Sequence, residues 1–267
     1  MEQLTNATRK LITSLRTASG RRENGLFTVE GHRAISEMIE ATECVGLYHT
    51  AKWWETAPDE FKSLLYRCNN GRGVVNTPVT AHDMERISSM STPQGVLAVM
   101  KIPSHKLSPT ELSKTLSIAL DCIQDPGNMG TIIRLCDWFG VKDIVASGDT
   151  VDCYNPKVVQ SAMGALARVR VHYVDDLAEF VKIMDELTSG NVISTDLHGE
   201  NIYDFPIPAA GVIVMGNEGR GVSEKVGREI SRHVKIPSYP ADAAHVESLN
   251  VAMATGIVLA EARRPRK

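Results

Sequence analysis

The chain has 267 residues, of which 43% are hydrophobic and 23% are charged, and its mean hydropathy is -0.13. These values exclude a disordered or fibrous chain and predict a globular protein with room for two modest domains. No apolar run reaches the roughly 18 residues of a membrane span, and the polar N-terminus lacks a signal peptide's apolar stretch, so we expect a cytoplasmic protein. The five cysteines form no Cys-x-x-Cys pair, which argues against a disulfide framework and a zinc site.

The net charge is -3, but residues 1–33 carry six Lys or Arg against three Asp or Glu. The basic residues of this segment are Arg9, Lys10, Arg16, Arg21, Arg22 and Arg33. A local basic patch suits a polyanionic partner, although a solvated helix face explains the same excess. Charge alone therefore leaves a nucleic-acid partner open.

The first hundred residues alternate helical and strand patterns. A polar stretch over 2–18 leads to a predicted turn at Ser19-Gly20. Strands are predicted at 27–29, 45–49, 73–76 and 95–101, with helices at 32–43, 57–67 and 81–88. Because a polar, proline-containing segment follows, we predict a small α/β domain over 1–103 and a linker over 104–115.

The rest of the chain, 116–267, is predicted to form a doubly wound α/β domain with a parallel sheet. It opens with LSIALDCI (116–123), a nearly continuous apolar run typical of a strand covered on both faces. Asn155-Pro156 is a helix start, with Asn as N-cap and Pro in the first turn. Further strands are predicted at 144–146, 169–173, 192–194, 212–215 and 234–236.

Three polar segments follow apolar strands, at the edge where open α/β sheets bind ligands. They are 125–134, 215–221, and Ile236-Pro237 with 248–257. Each also has a purely structural interpretation: Asn128 as an N-cap with Arg134 in an ion pair, a glycine-rich connector, and capping with close helix packing. Dinucleotide and phosphate-loop fingerprints are absent from the sequence, and His spacing gives a metal site little support.

Taken together, NMGTIIR (128–134), MGNEGRG (215–221) and IP with SLNVAMATGI (236–257) resemble the three motifs of the SpoU, or TrmH-like, branch of the SPOUT RNA methyltransferases. ENGLFTVEG (23–31) and TPQGV (92–96) are similar to that family's L30e-like substrate-binding domain. The resemblance implies S-adenosylmethionine as methyl donor, an RNA ribose 2'-hydroxyl as acceptor and no metal. It also implies a C-terminal trefoil knot, and a homodimer through the C-terminal domain whose active sites are completed across subunits.

Carried onto this sequence, the resemblance assigns a role to individual residues. The catalytic positions are Asn128, Arg134, Glu218, Ser248 and Asn250. Cofactor contacts are expected from Thr195, Met215, Gly216, Asn217, Gly219, Ile236, Pro237 and Leu249. RNA-phosphate contacts are expected from Arg9, Arg21, Arg22 and Arg33. Arg134 is expected to activate and orient the 2'-hydroxyl, either as a base or through its charge.

Several alternatives stay open from the sequence. The loop 238–247 is longer than the family's usual one, and it either reshapes the donor pocket or contacts RNA. A non-catalytic RNA-binding or ribosome-assembly factor on the same fold is the main rival function, whereas the third motif disfavours a base methyltransferase. The separate first domain favours ribosomal RNA over transfer RNA as substrate, and nothing indicates which nucleotide is modified.

Overall fold

The computed structural model describes residues 4–68, 74–240 and 248–265. Its chain divides into two units, residues 1–104 with 152–168, and residues 105–151 with 169–267. The first division falls after residue 104, and the predicted linker bounds of 104–115 stay a prediction. The structure differs from the predicted domains in one respect, because residues 152–168 pack within the first unit.

The first unit contains a four-stranded sheet in the order β1-β4-β2-β3. Strand β4 pairs antiparallel with β1 and β2, and β3 pairs parallel with β2. The helices are Asn6–Ser14 (α1), Ala18–Asn24 (α2), His32–Met38 (α3), Ala51–Thr56 (α4), Asp59–Arg67 (α5) and Ala81–Ile87 (α6). The strands are Leu26–Glu30 (β1), Cys44–Thr50 (β2), Asn76–Val79 (β3) and Val96–Lys101 (β4).

The start of the chain corrects one sequence prediction. Instead of a turn at Ser19-Gly20, helix α2 runs through both residues, because the Thr17 hydroxyl accepts a hydrogen bond from the Gly20 N–H at 3.1 Å and caps the helix. A Cβ on Gly20 would lie 2.1 Å from the Ser14 carbonyl oxygen. The glycine therefore permits close helix packing rather than a turn.

Residues 152–168 complete the first unit. They form helix α9 (Pro156–Ala162) and a 3-10 turn at Ala165–Ala167, and α9 begins at the predicted Asn155 cap. The aromatic rings of Tyr154 and Phe27 lie 4.6 Å apart, and α9 packs against β1. This helix was predicted from its cap, but local sequence does not specify which sheet it covers.

Arg21 anchors this segment from inside the first unit. Its side chain is 2% exposed, and its Nε and Nη2 lie 2.7 and 2.6 Å from Asp152 Oδ2. Its Nη1 also donates to the Leu15 carbonyl at 2.8 Å. The prediction that Arg21 contacts RNA phosphates is therefore wrong, because the guanidinium is buried and its donors are used within the protein.

The second unit is built on a six-stranded, all-parallel sheet in the order β10-β8-β9-β5-β6-β7. Its strands are Leu116–Leu120 (β5), Asp143–Ser147 (β6), Arg170–Val174 (β7), Val192–Asn201 (β8), Gly211–Met215 (β9) and Arg232–Lys235 (β10). Its helices are Pro109–Leu112 (α7), Pro126–Trp138 (α8), Leu177–Thr188 (α10), Glu224–Gly227 (α11) and Val251–Ala262 (α12). The parallel α/β architecture predicted from the strand pattern is confirmed.

Strand order places the polar segments. The chain runs from β5 outward to β6 and β7, then returns to the other side of β5 as β8, β9 and β10. Strands β5 and β9 are thus neighbours whose connections lead in opposite directions, which is where such sheets bind ligands. Part of the predicted linker is ordered structure, because α7 buries Leu112 in the core under α10.

An ionic cluster joins strands β6 and β7 near the ends where they begin. Asp143, at the start of β6, accepts hydrogen bonds from Arg170 Nε at 2.7 Å and Arg170 Nη2 at 2.5 Å. His172 Nε2 lies 2.9 Å from the same carboxylate. Burial opposes ionisation of Asp143, but these hydrogen bonds outweigh it and lower its pKa to about 2.

Candidate active site

The first predicted motif forms the start of helix α8. The Asp125 carboxylate accepts from the Asn128 backbone N–H at 2.8 Å, and Pro126 occupies the first turn. Asp125 is therefore the N-cap, and the interpretation of Asn128 as a cap is wrong. This arrangement leaves the Asn128 amide free to interact with the loop that follows β9.

The second motif places Glu218 at the tip of a tight loop after β9. Asn217 and Gly221 bridge to each other through two backbone hydrogen bonds of 2.9 and 2.7 Å. The Glu218 carboxylate is exposed, and its Oε1 accepts a hydrogen bond from Asn128 Nδ2. The loop therefore brings a carboxylate against the start of α8.

The third motif adds Asn250, the N-cap of α12. Its Oδ1 accepts from the backbone N–H of Ala252 and Met253, and its Nδ2 donates to Asn128 Oδ1 at 2.9 Å and Glu218 Oε1 at 3.1 Å. The Asn250 side chain thus caps α12 with its oxygen, and its nitrogen links the Asn128 amide to the Glu218 carboxylate. Ser248 lies beside it, with its hydroxyl 3.4 Å from the Glu218 carbonyl oxygen.

Residues Asn128, Glu218 and Asn250 therefore meet, although they are far apart in sequence. A groove next to them is lined by Ile123, Gln124, Asp125, Asn128, Asn217, Glu218 and Val251. An exposed carboxylate supported by two amides offers both acceptors and donors to a hydroxyl-bearing ligand. We name these three residues the amide–carboxylate cluster.

Arg134 is not part of this cluster within one chain. It lies six residues after Asn128 on α8, which places it about 9 Å along the axis and on a different side of the helix. Its side chain is exposed, and it makes no hydrogen bond or ion pair with any residue in the described ranges. The ion-pair interpretation of Arg134 therefore finds no partner among those residues.

The residues expected to hold the cofactor lie within or directly after three neighbouring strands, β10, β8 and β9. Thr195 lies in the extended part of β8, and its hydroxyl is 3.9 Å from Met215 Sδ at the end of β9. Gly216 begins the next loop, where a Cβ would lie 2.2 Å from the Gly221 carbonyl carbon. Ile236 and Pro237 directly follow β10. This edge combines apolar side chains with one hydroxyl, which are the kinds of group that line nucleoside-binding sites.

The three other expected cofactor residues, Asn217, Gly219 and Leu249, interact within the Glu218 loop or lie at its border. The Asn217 side chain donates to the Cys122 carbonyl at 2.9 Å and accepts from the backbone N–H of Gly219 at 3.0 Å. Leu249 is 46% exposed beside Ser248. Of the long loop 238–247, residues 241–247 lie outside the described residues.

The predicted RNA-contacting residues of the first unit divide into two groups. Arg22 and Arg33 are exposed, and Arg9 is half-buried with its guanidinium on the Asn6 side chain. Arg21 is buried, as described above. Three of the four basic residues therefore remain accessible to a polyanion.

Sequence reasoning did not find Asp121 and Cys122, which immediately follow β5 and contact the Glu218 loop. Their only sequence signal is their position at a strand end. Across the described ranges, no group of three or more His, Cys, Asp or Glu side chains is arranged to hold a metal ion. Nor does any helix of those ranges have the length and apolar character to cross a membrane.

The protein has one α/β unit followed by a second α/β unit whose polar loops lie where the strand order reverses. These two features define the class of the protein. Residues 115–260 match the model of the SpoU rRNA Methylase family, and residues 6–98 match that of the MRM3-like substrate binding domain. The chain therefore belongs to the SpoU rRNA methylase family. The resemblance drawn from the three motifs is confirmed.

Individual relatives extend over nearly the whole chain. The 23S rRNA (guanosine(2553)-2'-O)-methyltransferase of Bacillus subtilis is 27% identical, covering 97% of this chain and 98% of that protein. Among solved structures, a TrmH-family protein from Porphyromonas gingivalis has a TM-score of 0.83 and 33% identity, covering 98% of both chains. The SpoU methyltransferase AviRb from Streptomyces viridochromogenes, solved with the cofactor AdoMet, has a TM-score of 0.82 and 25% identity, covering 97% of both chains.

Proposed function

We propose that the protein transfers a methyl group from S-adenosylmethionine to a ribose 2'-hydroxyl of ribosomal RNA. The observation that carries this proposal is the amide–carboxylate cluster, in which residues of all three family motifs meet beside a groove. The Bacillus subtilis relative that matches the chain along almost its full length is a 23S rRNA 2'-O-methyltransferase. This similarity supports ribosomal rather than transfer RNA as the substrate.

The proposed reaction is a displacement in which the 2'-oxygen bonds to the methyl carbon while the carbon–sulfur bond of the sulfonium donor breaks, and the hydroxyl proton is released to water. When bound, S-adenosylmethionine supplies that electrophilic methyl group. The site must hold the hydroxyl in line and stabilise the negative charge that develops on its oxygen. Glu218 and the two amides offer hydrogen bonds that orient ribose oxygens, while Met215, Gly216 and Thr195 lie at the edge proposed for the cofactor.

Arg134 suits charge stabilisation better than proton abstraction. A guanidinium carries a positive charge and presents a planar fork of N–H donors to a phosphate or an alkoxide. We therefore assign it to holding the RNA backbone and stabilising the developing oxyanion. Arg134 lies on a different side of α8 from Asn128, which contacts Glu218. We therefore further propose that Arg134 acts on the amide–carboxylate cluster of a second subunit.

Exposed apolar side chains support such a homodimer. Trp138 is 84% exposed and lies one turn after Arg134 on α8. On the adjacent helix α12, Met253 is 61% exposed, and Leu249 just before that helix is 46% exposed. Large exposed apolar residues on two packed helices mark a surface for protein association. A second copy covering this face places each Arg134 next to the partner.

The first experiment measures transfer of labelled methyl from S-adenosylmethionine to unmodified ribosomal and transfer RNA, with the product nucleosides identified. Wild type should form a 2'-O-methylnucleoside in ribosomal RNA. Arg134→Ala should lose nearly all turnover while donor affinity, measured by calorimetry, stays within about threefold. Donor binding without methyl transfer to any RNA by wild type would favour the non-catalytic RNA-binding alternative.

A mixing experiment tests the shared active site. Arg134→Ala and Glu218→Gln are each expected to be nearly inactive alone. If Arg134 acts on the partner's cluster, both lesions in a mixed dimer fall on one site and leave the other intact. Equal mixing should then restore about a quarter of wild-type activity, since half the dimers are mixed. No recovery from a mixture with proven subunit exchange would contradict a site built from two chains.

A further inference from the structure

The loop that carries Glu218 is attached at both ends to one dipeptide, Asp121-Cys122, which follows β5. Before Glu218, the Asn217 side chain donates to the Cys122 carbonyl at 2.9 Å. After it, the Ser223 backbone N–H donates to Asp121 Oδ2 at 2.7 Å. The Asp121 side chain is buried, with 5% of the residue exposed. Glu218 thus lies between two attachments to the neighbouring strand.

The backbone of Cys122 has an unusual conformation. Its φ of +58° lies in the left-handed region, which residues with a Cβ rarely adopt. Its N–H donates to Ser147 Oγ at 2.9 Å, and that hydroxyl donates to Asp149 Oδ1 at 2.6 Å. The residue is therefore held from the β6 side while its carbonyl points to the β9 side.

The Cys122 thiol does not explain this conformation. Burial and the hydrogen bond to Asp149 raise the pKa of the thiol, which disfavours the thiolate form that acts as a nucleophile. Its Sγ accepts a long contact, 3.8 Å, from Arg220 Nη2, and the thiol also hydrogen-bonds with the Asp149 side chain. What the left-handed conformation provides is the direction of the carbonyl group.

Asn217 transmits this constraint to the loop tip. Its Oδ1 accepts from the N–H groups of Gly219 and Arg220 at 3.0 and 3.3 Å, while its Nδ2 is held by Cys122. Both ends of its amide are therefore occupied. The oxygen holds the backbone that follows Glu218, and the nitrogen binds the Cys122 carbonyl. A shift of the Cys122 carbonyl would move the backbone that presents the Glu218 carboxylate to its two amide partners.

We propose that Asp121 and Cys122 are positioning residues for the methyl-transfer reaction, fixing the 216–223 loop so that Glu218 meets Asn128 and Asn250. The proposal rests on the proposed function and adds two residues outside the three family motifs. Neither residue lines the groove beside the amide–carboxylate cluster. They act on the reaction through Glu218.

The test combines substitutions with Glu218→Gln in a double-mutant cycle, measuring kcat and KM for RNA at saturating labelled donor, with enough enzyme to quantify the residual turnover of Glu218→Gln. Cys122→Val, which disfavours the left-handed conformation, and Asp121→Ala should each lower kcat by about ten- to a hundredfold, as expected for a misplaced catalytic group. In the Glu218→Gln background the same changes should cost less than about twofold more. Cys122→Gly keeps the carbonyl and tolerates a positive φ, so it should recover kcat to within about threefold of wild type.

Asp121→Asn and Cys122→Ala are the milder variants should the others fail to fold, and thermal melting checks each protein. Equal losses of kcat with and without Glu218→Gln would overturn the proposal, because they would indicate general damage. Full activity of folded Cys122→Val and Asp121→Ala would overturn it as well. Wild type that forms no 2'-O-methylnucleoside would instead refute the proposed function, and the positioning role with it.

Discussion

Arg21→Ala is the substitution whose effect follows most directly from the structure. The guanidinium is buried, and three of its nitrogens contact Asp152 Oδ2 or the Leu15 carbonyl at 2.6 to 2.8 Å. Alanine would leave the Asp152 carboxylate and a main-chain carbonyl without these donors. It would also remove the ion pair that joins Asp152, at the start of residues 152–168, to helix α2.

The size of the effect is set by burial. Removing one partner of a buried ion pair costs about 3–5 kcal/mol, and the partial exposure of the Asp152 side chain, 32%, places this pair at the lower end. A loss of about 3 kcal/mol lowers Tm by about 6–12 °C in a chain of this size class. The neighbouring Arg22→Ala is the matched control, because Arg22 is exposed and surface changes stay within about 0.5 kcal/mol.

Differential scanning calorimetry of the two variants and wild type measures the difference. Arg21→Ala should unfold at a clearly lower temperature than wild type. Arg22→Ala should unfold at the same temperature as wild type. RNA binding, measured as a function of salt, should change for Arg22→Ala alone once both proteins are folded. Equal melting temperatures for the two variants would refute the structural role of Arg21.

Three further predictions follow from charge and exposure. Because the Asp143 pKa is lowered from 3.8 to about 2, its contribution to stability is complete above about pH 4 and lost as the pH falls toward 2. Acid unfolding of Asp143→Asn should therefore depend less on pH, and an unchanged acid curve would contradict this. Arg22→Glu with Arg33→Glu should weaken RNA binding and flatten its log–log salt dependence by about 0.7–0.9 per lost phosphate contact, whereas unchanged affinity would exclude both residues from the RNA interface. Met253→Glu should give a monomer with little activity in analytical ultracentrifugation and methyl-transfer assays, and an active monomer would argue against the proposed dimer face.

Much of the second unit was predictable from sequence, because a parallel sheet covered on both faces gives long apolar runs that end where polar residues begin. Asn128 and Glu218 follow two such runs, β5 and β9, and the shared edge of a parallel sheet brings their segments together. Asn155-Pro156 also predicted the start of α9, since cap and proline act locally. The catalytic and cofactor roles of these residues, and the knot, stay predictions.

Features that depend on distant packing were not predictable. Counting charges grouped Arg21 with its exposed neighbours, although only tertiary structure determines which side chain turns inward. The Ser19-Gly20 pair suggested a turn, but the preceding Thr17 caps a helix and glycine serves close packing. The left-handed conformation of Cys122 has no local signal in its residue type, since cysteine has no preference for it.

The position of residues 152–168 has a consequence for synthesis of the chain. The first unit is composed of residues 1–104 and this later segment, so its core cannot close when residue 104 leaves the ribosome. Translation must add 168 − 104 = 64 further residues, which takes about 3–13 s at bacterial-type elongation rates of about 5–20 residues per second. During that interval the surface of β1 that receives α9 has no cover from its own chain. The first unit thus completes its folding only after β5, α8 and β6 of the second have been made.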